Sequence, residues 1–200
     1  MIMKKLKATI ILLFVIVLAL SVPVQAASKK KEEQAIKKQI KLLESGIKEH
    51  NYSKVKKVVK KKHIDFCDFN RIDELVGKDF LKKYSGNSAL KAKKISINGN
   101  TAKIKLECSL CDCSIMYYEA HKRLVLKQNH NKEYFKKELS EVTNKYKTNG
   151  IIRYSVDVTM KKKNGKWVFE RDPRGTFFDM YSCGYWYMYA FCSVICWQEW

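Results

Sequence analysis

Alternating apolar and polar residues predict a first β-hairpin in the middle of the chain. Ile95 and Ile97 alternate with polar residues before Asn98-Gly99, and every second residue from Ala102 to Leu110 is apolar after it. An Asn-Gly dipeptide between two such runs is typical of a two-residue turn. With the turn at Asn98-Gly99, Ile95 pairs with Ala102, and the apolar residues of both strands share one face of the sheet.

A second hairpin is predicted around Asn164-Gly165, because the residues on both sides of this dipeptide alternate in the same way. A two-residue turn there pairs Met160 with Phe169 and Lys162 with Trp167. The apolar face of this pair is expected to line the core or a pocket. It consists of Tyr154, Val156, Val158, Met160, Trp167 and Phe169.

Helical spacing precedes the first hairpin and separates it from the second. Within residues 33–50, one stripe of an amphipathic helix is formed by Ile36, Ile40, Leu43 and Ile47. A second, short helix is expected to begin with Ser53 as its cap. Residues 63–87 suggest one or two short helices, and residues 114–147 suggest two that divide near residue 130. The stretch from Ile115 to Leu126 could instead be a strand. The fold class is therefore α+β.

The first 26 residues have the pattern of a secretory signal peptide. Three lysines precede an apolar run from Ala8 to Val22, and Pro23 and Val24-Gln25-Ala26 follow it. We expect cleavage after Ala26 or Ala27. The alternative is a retained membrane anchor, because the uncharged stretch approaches the length that spans a bilayer. Cleavage would leave a main domain of residues 27–175 and a C-terminal segment of residues 176–200.

The C-terminal segment is apolar and rich in aromatic residues, with no charge from Met180 to Gln198. Three interpretations remain open: a helix or strand that docks on the sheet, a segment that lies at a membrane interface, and a membrane-spanning helix. The residues predicted to contact a membrane are Tyr185, Trp186, Tyr187, Phe191 and Trp197.

The charge of the chain limits its partners. The 200 residues include 40 Lys and Arg against 20 Asp and Glu, which gives a formal net charge of +20. Outside a cell, this charge favours an anionic wall polymer or a lipid surface. The basic residues are overwhelmingly lysines, whereas recognition of bases or phosphates through paired hydrogen bonds favours arginine. Specific binding of nucleic acid is therefore not expected, and no oligomeric state is predicted.

Seven cysteines fall into two groups, which are Cys67, Cys108, Cys111 and Cys113 in the body and Cys183, Cys192 and Cys196 near the end. In an exported protein they are expected to be disulfides or structural thiols, and an odd number leaves at least one thiol unpaired. The spacing Cys108-Ser-Leu-Cys111-Asp-Cys113 also resembles a metal site, but a closed zinc site needs a fourth ligand. No metal site is predicted.

Three features are similar to one known superfamily. They are the opening helix that leads into His50–Val55, the helices between two hairpins, and the closing Gly165-Lys166-Trp167-Val168. From about residue 33 to residue 172, the chain resembles the nuclear transport factor 2-like (cystatin-like) superfamily, in particular uncharacterised secreted proteins and lipoproteins of Gram-positive bacteria. The resemblance implies a curved antiparallel sheet wrapped around the N-terminal helix in a cone, often with a pocket at its open end. It implies no activity, because members range from enzymes to binding domains.

No catalytic or cofactor-binding residue is predicted. The inward-facing strand positions hold no acid or imidazole, and Asp157 and Glu170 fall on the opposite face. The four histidines, which lack a catalytic or metal-binding motif, are interpreted as surface or capping residues: His50, His63, His121 and His130. The acidic stretch lacks the glycine and glutamate spacing of a calcium loop and is interpreted as loop and cap residues: Asp65, Asp68, Asn70 and Asp73.

These observations predict a secreted or surface-associated, non-enzymatic domain that binds a small ligand or an anionic component of the cell envelope. One alternative is a cationic membrane-associated protein that uses its aromatic C-terminal segment. Another is an enzyme that uses the pocket of the cone.

Overall fold

The structure is a computed structural model that describes residues 28–60, 69–128, 131–171 and 176–184. The chain divides into two compact units, residues 1–38 and 39–200. The described part of the first unit, residues 28–38, is helical, and its Ile36 side chain is buried. All other elements belong to the second unit.

Four antiparallel strands form a curved, unclosed sheet in the order β1-β2-β3-β4. Their bounds are Ala89–Asn98 for β1, Thr101–Cys111 for β2, Ile151–Lys163 for β3 and Lys166–Phe169 for β4. Polar and apolar residues alternate across β2, where Ala102, Ile104 and Leu106 are buried and Lys103 and Lys105 are exposed. One face of the sheet therefore lies against the core and the other faces solvent. The predicted α+β class with a curved antiparallel sheet is confirmed.

The register of the second hairpin is confirmed. Met160 pairs with Phe169 and Lys162 with Trp167. The turn residues Asn164 and Gly165 have φ angles of 48° and 76°. Two positive φ angles in succession define a type I′ turn, and Asn-Gly is the sequence that this turn prefers.

The predicted turn of the first hairpin is wrong by one residue. Gly99 and Asn100 form the turn, so Ile95 pairs with Ile104 and Ile97 with Ala102. Gly99 is the first turn residue and has φ of 52°, the position at which a type II′ turn requires glycine. The pairing therefore shifts by two residues, which leaves the same residues on each face of the sheet.

Seven helices occur in the described ranges. They are α1 at residues 28–48, α2 at Tyr52–Val58, α3 at Phe69–Val76, α4 at Lys78–Ser85, α5 at Ser114–Leu126, α6 at Lys132–Lys145 and α7 at Thr176–Ser182. The stretch from Ser114 to Leu126 is a helix, which excludes the strand alternative. The cap of α2 is Asn51 and not Ser53, because the Asn51 side chain accepts a hydrogen bond from Lys54 N at 3.1 Å.

A buried glutamate joins the two central helices. Glu138 of α6 is 1% exposed and accepts hydrogen bonds from Lys127 at 2.8 Å and Arg123 at 3.2 Å. These hydrogen bonds, that of Lys127 first, lower the pKa of Glu138. The same contact raises the pKa of Lys127. The helix pair is thus held by apolar packing and by a carboxylate that is charged at neutral pH.

Candidate functional site

A buried polar cluster joins four helical segments of the second unit. His50 lies 1% exposed after the end of α1, and its Nδ1 lies 3.1 Å from Oδ1 of Asp73 in α3. Its Nε2 lies 2.9 Å from Oγ of Ser85, the last residue of α4. The Tyr181 hydroxyl of α7 donates to the other carboxylate oxygen of Asp73 at 3.0 Å. We call these residues, His50, Asp73, Ser85 and Tyr181, the polar junction.

The geometry of the polar junction determines the tautomer and the ring orientation of His50. A carboxylate only accepts, so Nδ1 carries the proton that it donates to Asp73. The rings of His50 and Tyr181 also pack against each other, with centroids 4.2 Å apart and planes tilted by 53°. Burial, followed by the charge of Asp73, raises the pKa of Tyr181. The tyrosine therefore remains a neutral donor at physiological pH.

The interpretation of His50 as a surface or capping residue is wrong, because its side chain is buried and bonded through both ring nitrogens. The interpretation of Asp73 as a loop or cap residue is also wrong, since Asp73 lies inside α3. No sequence motif links these residues, and tertiary contacts alone bring them together. Of the remaining histidines, His121 is half-buried in α5, and His63 and His130 lie outside the described residues.

The order of contacts from Asp73 through His50 to Ser85 is that of a hydrolytic triad, but the surroundings differ. Ser85 is 0% exposed, so its Oγ cannot meet a substrate in this conformation. It also ends α4, where carbonyl groups rather than amides are left over, and its Oγ lies 3.4 Å from the carbonyl of Lys48. An acyl-transfer site needs N–H donors beside the nucleophile to stabilise an oxyanion. The junction is therefore a structural cross-link.

A cavity of about 390 Å³ opens where α3 ends and α4 begins. Its lining is Val76, Gly77, Lys78, Asp79, Phe80, Lys83, Tyr84, Lys136, Leu139, Ser140 and Thr143. We call this the lysine-edged cavity. Three ammonium groups and one carboxylate belong to the lining, which gives it a positive balance of charge. The rings of Phe80 and Tyr84 pack at 4.7 Å and supply an apolar wall.

The backbone at the cavity adds to this balance. Gly77 caps α4 with φ of 97°, a left-handed conformation that glycine adopts without strain. The cap residue offers no side-chain hydrogen bond to the first turn of α4. The amide groups of that turn therefore present the positive end of the helix dipole. Lys136 also forms an ion pair with Glu133 at 2.9 Å, which offsets part of its charge. Sequence patterns did not identify these lysines as binding residues. The signal that could have pointed to the site was Gly77, which stands before a helical run.

Three thiols cluster where β2 ends and α7 ends. Cys111, Cys113 and Cys183 are buried. The Cys183 thiol donates to the Leu81 carbonyl, with 3.8 Å between Sγ and O. Burial is the main reason that the pKa of Cys111 rises to about 11. Cys111 and Cys113, whose pKa values are raised, therefore stay protonated at neutral pH. In the described ranges no three His, Cys, Asp or Glu side chains are arranged to hold a metal ion.

The outer face of the sheet is basic and contains a like-charge pair. Lys94 of β1 lies directly opposite Lys105 of β2, and both are exposed. Lys103 lies two residues along the same face of β2. Like charges placed opposite each other destabilise a sheet. Asp157 of β3 lies opposite Lys105 on its other side and offsets part of the repulsion.

The six residues predicted to line the core or a pocket lie on the inner face of the sheet. Val158, Met160, Trp167 and Phe169 are buried, and Tyr154 and Val156 are half-buried. None of these six lines the lysine-edged cavity. Of the cysteines, Cys108 is also buried. The remaining predicted thiol or disulfide residues and membrane-contact residues lie outside the described residues: Cys67, Cys192, Cys196, Tyr185, Trp186, Tyr187, Phe191 and Trp197.

The membrane interpretations rest on segments at the two ends of the chain. Among the described residues, no helix combines the length and the apolar character that crossing a bilayer requires. Residues 1–27 and 185–200 lie outside the described residues, so these interpretations stay predictions.

Comparison with known proteins gives distant structural similarity but no family. No family model matches the chain, and no curated protein matches it. Among solved structures, the chain is similar to a "putative lipoprotein" from Bacillus subtilis, with 17% identity and a TM-score of 0.36. The match covers 71% of this chain and 44% of the Bacillus protein, so the chain spans less than half of that protein. Similarity at this level carries no argument, and membership of the nuclear transport factor 2-like superfamily stays a prediction.

Proposed function

We propose that this protein is an extracytoplasmic, non-enzymatic binding domain that holds a small anionic ligand in the lysine-edged cavity. The observation that carries the proposal is the combination of Lys78, Lys83 and Lys136 with the paired rings of Phe80 and Tyr84 around one space of about 390 Å³. This size suits a small molecule, and sites for such molecules combine apolar walls with a few polar groups. The predicted signal peptide supports the location.

The chemistry of the lining defines the class of ligand. Ammonium groups favour phosphate or carboxylate, and the α4 amides favour the same charge. The aromatic pair favours a ligand with an apolar or ring portion attached to that charge. Ser140 adds a hydroxyl group that would donate to the same oxygens, whereas the Thr143 hydroxyl already donates to the Ser140 carbonyl at 2.7 Å.

The test is a calorimetric titration with phenyl phosphate, which carries both the anion and the ring, compared with inorganic phosphate. The double variant Lys83→Gln and Lys136→Gln removes two cavity lysines. We expect it to bind phenyl phosphate at least about tenfold more weakly, the effect of losing roughly 1.4 kcal/mol.

The matched control is the double variant Lys103→Gln and Lys105→Gln on the outer face of the sheet. It lowers the net charge by the same amount and should leave the affinity for phenyl phosphate within about twofold, since charges beyond a Debye length of about 8 Å are screened. Equal losses in the two variants would show that only the overall charge matters. That result would contradict a site in the cavity.

A second candidate is favoured by the opposed Lys94 and Lys105. A repulsive pair of lysines on an exposed sheet face lowers the stability of the fold. Such a pair is expected where an anionic wall polymer or lipid surface binds. The same two double variants separate the candidates. The sheet-face variant should bind soluble poly(glycerol phosphate) more weakly than the wild type does. The cavity variant should bind phenyl phosphate more weakly. If neither variant weakens the polymer, the sheet face is not its site.

A further inference from the structure

Cys113 and Cys183 lie side by side although they come from distant parts of the chain. The Cys113 N–H donates to the Cys183 carbonyl at 2.9 Å, and each thiol is 0% exposed. A backbone hydrogen bond of this kind brings two Cα atoms to roughly 5 to 6 Å, within the disulfide range of about 4.4 to 6.8 Å.

The backbone of Cys183 points to a role for its side chain. Cys183 follows the last residue of α7 with φ of 56°, a left-handed conformation that is unfavourable for residues other than glycine. Glycine usually occupies this position after a helix. Here it comes one residue later, at Gly184, where a Cβ would lie 3.0 Å from Asp112 Oδ1. A cysteine at the strained position is explained if its sulfur is needed there.

We propose that Cys113 and Cys183 form a disulfide bond in the oxidised protein, which fastens the end of α7 to the chain that follows β2. The bond would hold in place the Tyr181 contact with Asp73 and the hydrogen bond from Tyr117 Oη to the Ser182 carbonyl at 2.8 Å. It is independent of the proposed ligand site.

The bond forms by two thiol–disulfide exchanges with an external disulfide such as cystine. The Cys113 thiolate attacks one sulfur of cystine, which releases one cysteine and leaves a mixed disulfide. The Cys183 thiolate then attacks the Cys113 sulfur and releases the second cysteine. The protein loses two protons and two electrons, and cystine is reduced to two thiols. Because both thiols are buried in the folded chain, oxidation is expected during folding.

The test is disulfide mapping of the full chain refolded from denaturant with cystine, alkylated and cut with trypsin. Cleavage after Lys105 and Lys122 releases a peptide with Cys108, Cys111 and Cys113, and cleavage after Arg174 releases the C-terminal peptide with Cys183. We expect these peptides to be joined, with fragment masses that place the bond at Cys113 and Cys183. Reduction should lower the melting temperature by about 5 to 15 °C.

Matched variants use neighbouring thiols in the same two peptides. The cross-link should persist in Cys111→Ser and in the double variant Cys192→Ser and Cys196→Ser, and should disappear in Cys113→Ser and in Cys183→Ser. Alkylation of both Cys113 and Cys183 in the refolded wild-type chain would overturn the proposal. Loss of the cross-link in Cys111→Ser would also overturn it. If a variant fails to fold, the fragment masses of the wild-type chain still show which two cysteines are bonded.

Discussion

The sheet and the polar junction hold the second unit together in different ways. In the sheet, stability is spread over many similar contacts: three ladders pair β1 to β4, and every second residue contributes to one apolar face. In the junction, four helical segments meet at His50, which contacts Asp73, Ser85 and the Tyr181 ring. Loss of one sheet side chain leaves a cavity, whereas loss of His50 removes a hydrogen bond from both Asp73 and Ser85.

The largest effect is expected in the core beneath the sheet. Phe169 is 0% exposed and packs edge-on against Phe177 at 4.9 Å between ring centroids. Phe169→Ala should lower the free energy of unfolding by about 4 kcal/mol, because it removes buried surface and leaves a cavity. Urea denaturation measures the change. Phe169→Leu, which fills more of the space, should lose much less, and equal losses would show that the ring is not closely packed.

The second prediction concerns the junction. His50 has φ of 50°, so asparagine, which tolerates this conformation, is the suitable replacement. His50→Asn should lower the free energy of unfolding by about 3 kcal/mol, since Asp73 and Ser85 both lose their bond to the imidazole. Urea denaturation again provides the measurement.

The control for His50 is Tyr181→Phe, which removes only the hydroxyl that donates to Asp73. It should lower the free energy of unfolding by about 1 kcal/mol, the usual contribution of one hydrogen bond. If His50→Asn were no more harmful than Tyr181→Phe, the histidine would not be the centre of the junction.

The two regions also differ in how far the sequence predicts them. Strand alternation has a period of two, so the turn error at Gly99 moved the register by two residues and left each side chain on its correct face. The polar junction has no such period. His50, Asp73, Ser85 and Tyr181 belong to four separate segments, and only packing of those segments brings them together. The cavity depends on packing in the same way, because Lys83 and Lys136 come from different helices.

The third prediction is a pH dependence at the α5–α6 contact. The hydrogen bond from Lys127 holds the pKa of Glu138 below its ordinary value. A carboxyl with a lowered pKa stabilises the fold above its unfolded pKa, and this stabilisation is lost as the pH falls through the folded pKa. At pH 7, Glu138→Gln should lower the free energy of unfolding by roughly 1 to 2 kcal/mol, the contribution of hydrogen bonds to a charged group.

Urea denaturation of both proteins across the acid range measures this difference. The gap between wild type and Glu138→Gln should be full near neutral pH and should close below the ordinary glutamate pKa of about 4.3, where Glu138 takes up a proton. A gap that stays constant with pH would mean that the side chain acts through its shape and not through its charge.

The smallest predicted effect has the opposite sign and lies on the outer face of the sheet. Lys94→Glu replaces the repulsion with Lys105 by an attraction, so it should raise the free energy of unfolding by about 0.5 kcal/mol at low salt. Lys91→Glu changes the net charge equally but lies opposite Glu107, so it should lower the free energy of unfolding by a similar amount. Both changes should shrink as salt screens the charges. If Lys94→Glu does not raise the free energy of unfolding, or if Lys91→Glu stabilises the fold, the pairing of charges across β1 and β2 does not decide stability, and the repulsive pair needs no functional explanation. If instead Lys94→Glu stabilises the fold and weakens binding of poly(glycerol phosphate), the sheet retains this repulsion at the expense of stability because the polymer binds there.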